Sequence, residues 1–305
     1  MMKKIFYLFA LLAGFSFLSC SEDEEYNPDK AQSNYTPVEG RKVASLHTTN
    51  TLNGRDYSWK HNFSYDAQGR IKEVNSVIKH HHKYEAYGGV FYRECNITSK
   101  AKYYFDKDEI TVKYTVNKEY PDYPDWNTKS SYTDSGVLNE NGHIKNYVSN
   151  YFKDGVVFSL GFECEYKMNN LYLAHFDGGF NCEITRDGNG DVDGYIYSGS
   201  EDEQDSDKSH IFRNEARNRT NFDFSAYFGY WGHERYIGAM TQWPYAHYQL
   251  AAFGFFGTPN RNLPLWQKSA AEGIDQSRSP WKMQGNYPVK YTDPAGYVTE
   301  VTYVD

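Results

Sequence analysis

A chain of 305 residues with 40 acidic against 32 basic side chains carries a formal net charge of −8, so it has no electrostatic basis for holding nucleic acid. Its four cysteines show no CxxC or Cys/His spacing of a zinc site. Aromatic residues make up 18% of the chain while mean hydropathy is −0.79, a pairing that suits half-buried pleated sheet better than a helix bundle.

In chain order, Lys3 and Lys4 precede an unbroken run of apolar and small residues from Ile5 to Leu18. That run is shorter than the about 20 residues of a membrane-spanning helix and reads as the apolar region of an export signal. Ser19 and Cys20 at its end resemble the lipobox of bacterial lipoproteins, with Phe17 in place of the usual Leu, Val or Ile. The resemblance implies removal of residues 1–19 and lipid on Cys20. Ser21, Glu22, Asp23, Glu24 and Glu25 follow directly and are similar to the signal that sends lipoproteins of the Bacteroidetes to the outer face of the outer membrane. The plain alternative is a solvated spacer. Residues 20–40, polar and broken by Pro28 and Pro37, are expected to be an acidic tether. A single β domain is expected over 41–305. Of its Cys95, Cys164 and Cys182, the last two are the favoured disulfide pair because they share one meander, and the odd count leaves at least one thiol free or paired elsewhere.

One pattern recurs four times: "DAQGRI" from Asp66, "NENGHI" from Asn139, "DGNGDV" from Asp187 and "DPAGYV" from Asp293. Asp or Asn caps its own backbone, Gly takes positive φ, and a β-branched residue opens the next strand, so each copy predicts a hairpin turn. Between turns the alternation is clean. Ile110, Val112, Tyr114 and Val116 fall on one face, and Thr111, Lys113 and Thr115 on the other.

The pattern breaks at about 222–266, where aromatics are dense. Tyr236, Ile237, Met240 and Trp243 recur at helical spacing, as do Tyr245, Tyr248, Ala252 and Phe255. They predict one or two short apolar helices over about 226–256, packed on the concave face of the sheet, with Pro244 opening the second and Gly257 and Pro259 closing it. The expected fold is therefore all-β with short helices, an antiparallel up-and-down meander forming a partly closed, water-soluble barrel or strongly curved sheet.

Three stretches, "YDAQGRIKEV", "LAAFGFFGTPNRNLPL" and "YTDPAGYVTEVTYV", resemble outer-surface lipoproteins of the Bacteroidetes that carry a domain of unknown function described as porin-like. The resemblance implies the same curved antiparallel sheet and brings no catalytic residues. Charged residues on the strands and the ending "TYVD" argue against a membrane pore, which needs an outward apolar band.

Candidate chemistry is sparse. Asp187, Asn189, Asp191 and Asp193 have the alternate spacing of calcium loops, but Val192 holds the glycine position and Ser198 that of the bidentate glutamate, so a turn is the expected role. His80, His81 and His82 would alternate across a strand. No GxSxG or other catalytic motif stands out, and no cofactor is implied. Candidate ligand platforms are Tyr123 and Trp126 of the "YPDYPDW" loop, and Trp231, Tyr236 and Trp243, for which a core role competes. The expected function is a surface binding or structural module for glycan, peptide or a surface-complex protein; the alternative is a glycan-acting hydrolase with an unidentified carboxylate pair.

Overall fold

The computed structural model describes residues 26–86, 89–153, 156–177, 179, 181–198, 207–227, 246–269, 281–292 and 296–305. Its strands are β1 (Val43–Leu52), β2 (Arg55–Tyr65), β3 (Ile71–Ala86), β4 (Gly89–Asp106), β5 (Glu109–Glu119), β6 (Thr128–Leu138), β7 (Ile144–Lys153) and β8 (Val156–Lys167). They continue as β9 (Asn170–Phe176), β10 (Asn181–Arg186), β11 (Val192–Ser198), β12 (Asp207–Arg217), β13 (Asn262–Ser269), β14 (Trp281–Gln284), β15 (Tyr287–Thr292) and β16 (Val298–Tyr303). All sixteen form one sheet. From β1 to β13 they lie side by side in chain order, and the C-terminal strands return to the start, with β16 on β1, then β15 and β14.

The alternation of β5 holds: Ile110, Val112, Tyr114 and Val116 are buried while Lys113 and Thr115 face solvent. Neighbouring β4 has the same phase, with Ile97, Ala101, Tyr103 and Phe105 inward and Thr98, Lys100 and Lys102 exposed outside. The outer face here is charged rather than an apolar band. Among the described residues no helix is long and apolar enough to cross a membrane.

The partly closed barrel, one of the two forms expected from the meander, is not found. The sheet is open, its edges are β13 and β14, and no backbone ladder joins them among the described residues. The strand lengths and registers give the reason: β14 is only four residues long, and the β12–β13 pairing shifts register twice, so neither edge offers a long regular ladder. The helical insertion is also smaller than the spacing suggests. Helix α1 (Phe224–Tyr227) has four residues and α2 (Ala246–Ala252) seven, and the predicted helix around Tyr236 lies outside the described residues. After α2 the chain turns, with Gly254 and Gly257 at φ 81 and 113. Phe253, Phe255 and Phe256 are nevertheless buried. Their spacing reflects burial in a plug, not helix.

That plug fills the inner face of the sheet. Phe222 packs on Phe63 at 5.5 Å between ring centroids, Phe255 on Phe105 at 6.1 Å and Phe256 on Phe162 at 5.8 Å. Burying each such ring stabilises by roughly 1.5–3 kcal/mol. The three described copies of the turn pattern share one set of hydrogen bonds. Gly69, Gly142 and Gly190 donate to the carbonyls of Asp66, Asn139 and Asp187, whose side chains accept the amides of Arg70, His143 and Asp191. All three turns lie at one end of the sheet. There the plug closes it, Ile144 donating to the Phe255 carbonyl at 2.7 Å and Asp191 accepting the amide of Asn262 at 3.1 Å.

The same end corrects the N-terminal boundary. Residues 26–40, expected as tether, are packed on the sheet: Tyr35 is buried, stacks on Phe255 at 3.8 Å and donates its hydroxyl to the Phe253 carbonyl at 2.6 Å. Arg70 holds the segment through the carbonyls of Ala31 and Pro28 at 2.9 and 2.5 Å. The backbone at Asn34 and Tyr35 passes so near Gly142 that a Cβ there would meet it at 2.6 Å. Glycine is required twice over, by its φ of 78 and by this approach.

Candidate functional site

The opposite end carries a projecting hairpin. β3 pairs with β2 only as far as Lys79, and β4 with β5 only back to Asn96, whereas the β3–β4 ladder runs on from His80 opposite Cys95 to Ala86 opposite Gly89. A two-stranded ribbon is marginal alone. It is braced by the loop between β5 and β6, where Pro124–Trp126 forms a 3-10 turn, Trp126 donates to the Tyr123 carbonyl at 2.9 Å, and Asn127 Oδ1 accepts the Tyr120 amide at 2.7 Å. Proline at the first position presets the turn.

Arg93, on the inner face of the hairpin, spans the gap. Its guanidinium carbon lies 3.8 Å from the Trp126 ring centroid and 4.1 Å from that of Tyr123. The two rings are 5.5 Å apart, and Tyr120 meets Trp126 edge-on at 5.9 Å. The contact fixes the rings without covering them: Trp126 remains 50% exposed and Tyr123 39%. Val90, Phe91 and Tyr92 near the hairpin tip are also exposed, with Arg55 stacked 4.0 Å from the Tyr92 centroid. Large apolar side chains exposed together at the end of a braced projection are the signature of a contact surface.

A second polar cluster is internal. Asp134 on β6 is fully buried, and its carboxylate accepts the hydroxyls of Tyr147 at 2.5 Å, Ser149 at 2.9 Å and Tyr114 at 3.4 Å. Burial raises its pKa to about 6, the three hydroxyls and the Asn150 backbone drawing it partly back. Tyr103 beside it donates to Gln249 of α2, so the cluster ties the plug to the sheet. Enclosed in this way, Asp134 serves the interior and offers no surface to a glycan. Its role was legible in the phase of β6, where it alternates with inward Gly136 and Leu138.

The other sequence candidates fall as follows. Asp187 accepts two amides of its own turn, Asp191 accepts the amides of Arg261 and Asn262, and Asp193 accepts the Thr185 hydroxyl at 2.6 Å. Asn189 is exposed at the turn tip. These carboxylates are spent on separate protein donors and do not converge as a calcium site. Cys164 and Cys182 both pair with Ala174, one on each side, so a whole strand separates them. Two strand spacings are about 9.6 Å, beyond the reach of a disulfide. Both remain thiols, as does Cys95. Cys20, Ser21, Glu22, Asp23, Glu24 and Glu25 lie outside the described residues, as do Trp231, Tyr236 and Trp243. Arg93 was missed from sequence, because only the register of β4 against the loop brings it to Trp126.

Sixteen antiparallel strands wrapped on an internal plug define the class as a porin-like sheet. The fold is similar to the crystal structure of a porin-like protein from Bacteroides uniformis, with TM-score 0.54 and 8% identity over 87% of this chain and 99% of that one. A porin-like protein from Bacteroides vulgatus matches over the same shares with TM-score 0.36 and 9% identity. No family model matches the chain, and no curated protein does. At such identity the likeness concerns fold alone.

Proposed function

We propose that this protein is a lipid-anchored binding module of the outer cell surface that holds a glycan on the aromatic rim formed by the projecting hairpin and the 120–127 loop. The observation that carries this reading is the pair Tyr123 and Trp126, exposed, adjacent and held by Arg93. Flat rigid rings give sugar faces a large contact area at little entropic cost.

The polarity of the fold supports the same reading. Tyr26 sits at the plugged end, its hydroxyl accepting the Phe105 amide at 2.8 Å. A lipid on Cys20 would be at most about 20 Å of chain from that point. The plugged end would then face the membrane and the rim the exterior.

The test is a glycan array probed with the full chain and with a Tyr123→Ala, Trp126→Ala double variant. Specific binding that the variant loses supports the reading. Binding that survives in the variant moves the site elsewhere, and capture of peptides but no glycan replaces the ligand class.

A further inference from the structure

The inner face of the same hairpin has a chemistry of its own. Inward positions on β3 are even-numbered, as buried Val74, Ser76 and Ile78 show, so His80 and His82 continue that row. Inward positions on β4 are odd, which brings Arg93 opposite His82 and Cys95 opposite His80. On β5 the row Val112, Tyr114, Val116 leads to Lys118, opposite Ile97. Three strands thus place two imidazoles, a guanidinium and an ammonium on one face, with Arg93 against the Tyr123 and Trp126 rings and His82 exposed.

The convergence is electrostatic as well as geometric. His80 has its pKa lowered to about 4, first by burial and then by His82, Lys118 and His81. Two of the nearby acids are turned away: Glu94 lies on the outer face and pairs with Lys79 at 3.0 Å, and Glu119 alternates outward from Lys118. Asp122 and Asp125 are exposed in the loop. In a chain of net charge −8 a cationic cluster is a departure from the general surface. Half-buried cations attract an anion more strongly than solvated ones do.

We infer that this face seats the charged group of an acidic saccharide, a carboxylate or sulfate, while the sugar ring lies on Trp126 and Tyr123. The inference rests on the binding reading above and names its ligand class. His80, held neutral, is suited to donate a hydrogen bond. Arg93 and Lys118 supply the charge.

The experiment measures affinities of the full chain in detergent for matched probes: oligogalacturonate against its methyl ester, and heparin oligosaccharide against its desulfated form. At least one charged probe is expected to bind roughly tenfold more tightly than its neutral partner, with the difference shrinking as salt is added. Lys118→Gln is expected to reduce that preference, Arg93 being retained, and to leave binding of the neutral probe unchanged, whereas Lys102→Gln on the outer face changes neither. Equal affinity for charged and neutral probes, or a preference undiminished by Lys118→Gln, overturns the inference and leaves glycan binding standing. Failure of every probe to bind, together with an empty glycan array, overturns both.

Discussion

The indole Nε1–H of Trp281 donates to the carbonyl oxygen of Pro264 across 2.6 Å, and the two residues belong to opposite edges of the sixteen-stranded sheet. Trp281 also packs on Phe224 of the plug at 5.0 Å and on Tyr291 at 4.7 Å. Among the described residues this side chain joins β14 to β13 where no backbone ladder does. Trp281→Phe keeps most of the ring and leaves the Pro264 carbonyl buried without this donor, which is expected to cost about 1–3 kcal/mol. Hydrogen exchange should quicken in β13 and β14 before β5. Unchanged exchange at both edges would show that the contact does not hold them.

Asp66 and Arg70 form a buried ion pair at 2.6 Å that also fastens the segment ahead of β1. Arg70→Met strands a buried carboxylate and is expected to destabilise by about 3–5 kcal/mol, because the lone charge keeps its desolvation cost. Protease should then cut within residues 26–35 before the sheet unfolds. Adding Asp66→Asn should recover part of the loss; no recovery in the double variant would count against the ion pair as the cause.

Acid dependence has two opposed internal contributors. Asp134 has its pKa raised to about 6, so between about pH 4 and 6 the folded state keeps a proton the unfolded state has lost, and its contribution to stability falls as pH rises through that window. His61 has its pKa lowered to about 3 by burial, so between about pH 3 and 6.5 its contribution rises with pH. The two offset in the wild type. Relative to it, stability of Asp134→Asn should slope upward with pH across that window and that of His61→Gln downward, each by up to about 1.4 kcal/mol per unit. Denaturation midpoints from pH 4 to 7 check both signs.

The cysteines make a sharp test of register. Cys164 is pushed up to about 12, burial being the main cause, and Cys95 is raised as well. In the folded protein all three domain thiols should resist alkylation, and all three should react after unfolding without reductant. A Cys164–Cys182 cross-linked peptide in the mass spectrum would contradict the pairing of both residues with Ala174.

Met168 and Asn169 both have positive φ, 49 and 63, at the β8–β9 turn, and Met168 is 93% exposed. A type I′ turn favours Asn or Gly at such positions. Met168→Asn is expected to stabilise by about 0.5–1 kcal/mol, visible as a higher melting temperature.

Much of the fold was legible because strand chemistry is local. The phase of Ile110, Val112, Tyr114 and Val116 gave the inner face, and the Asp/Asn, Gly and β-branched pattern gave its hairpins. The residue after each glycine shows where locality ends. Arg70, His143, Asp191 and Tyr297 hold the same position in the pattern, yet Arg70 binds the N-terminal segment, Asp191 the start of β13, and Tyr297 packs on Trp59 at 5.5 Å. Nothing within six residues encodes those partners. The aromatic spacing of the insertion misled for a related reason: Phe253, Phe255 and Phe256 satisfy any geometry that buries them, and a turn does so as well as a helix.

By itself the sequence determined that this chain builds an antiparallel sheet with one apolar face, that its turns fall at Asp66, Asn139 and Asp187, and that Tyr123 and Trp126 stand in an exposed loop. Only the tertiary structure decided that the sheet stays open, that residues 26–40 join its body, and that Arg93 is stacked on those rings. Alternation and turn chemistry act between neighbours in the chain, whereas edges, plugs and charge clusters depend on register summed over many strands, where a shift of one residue turns every side chain to the other face.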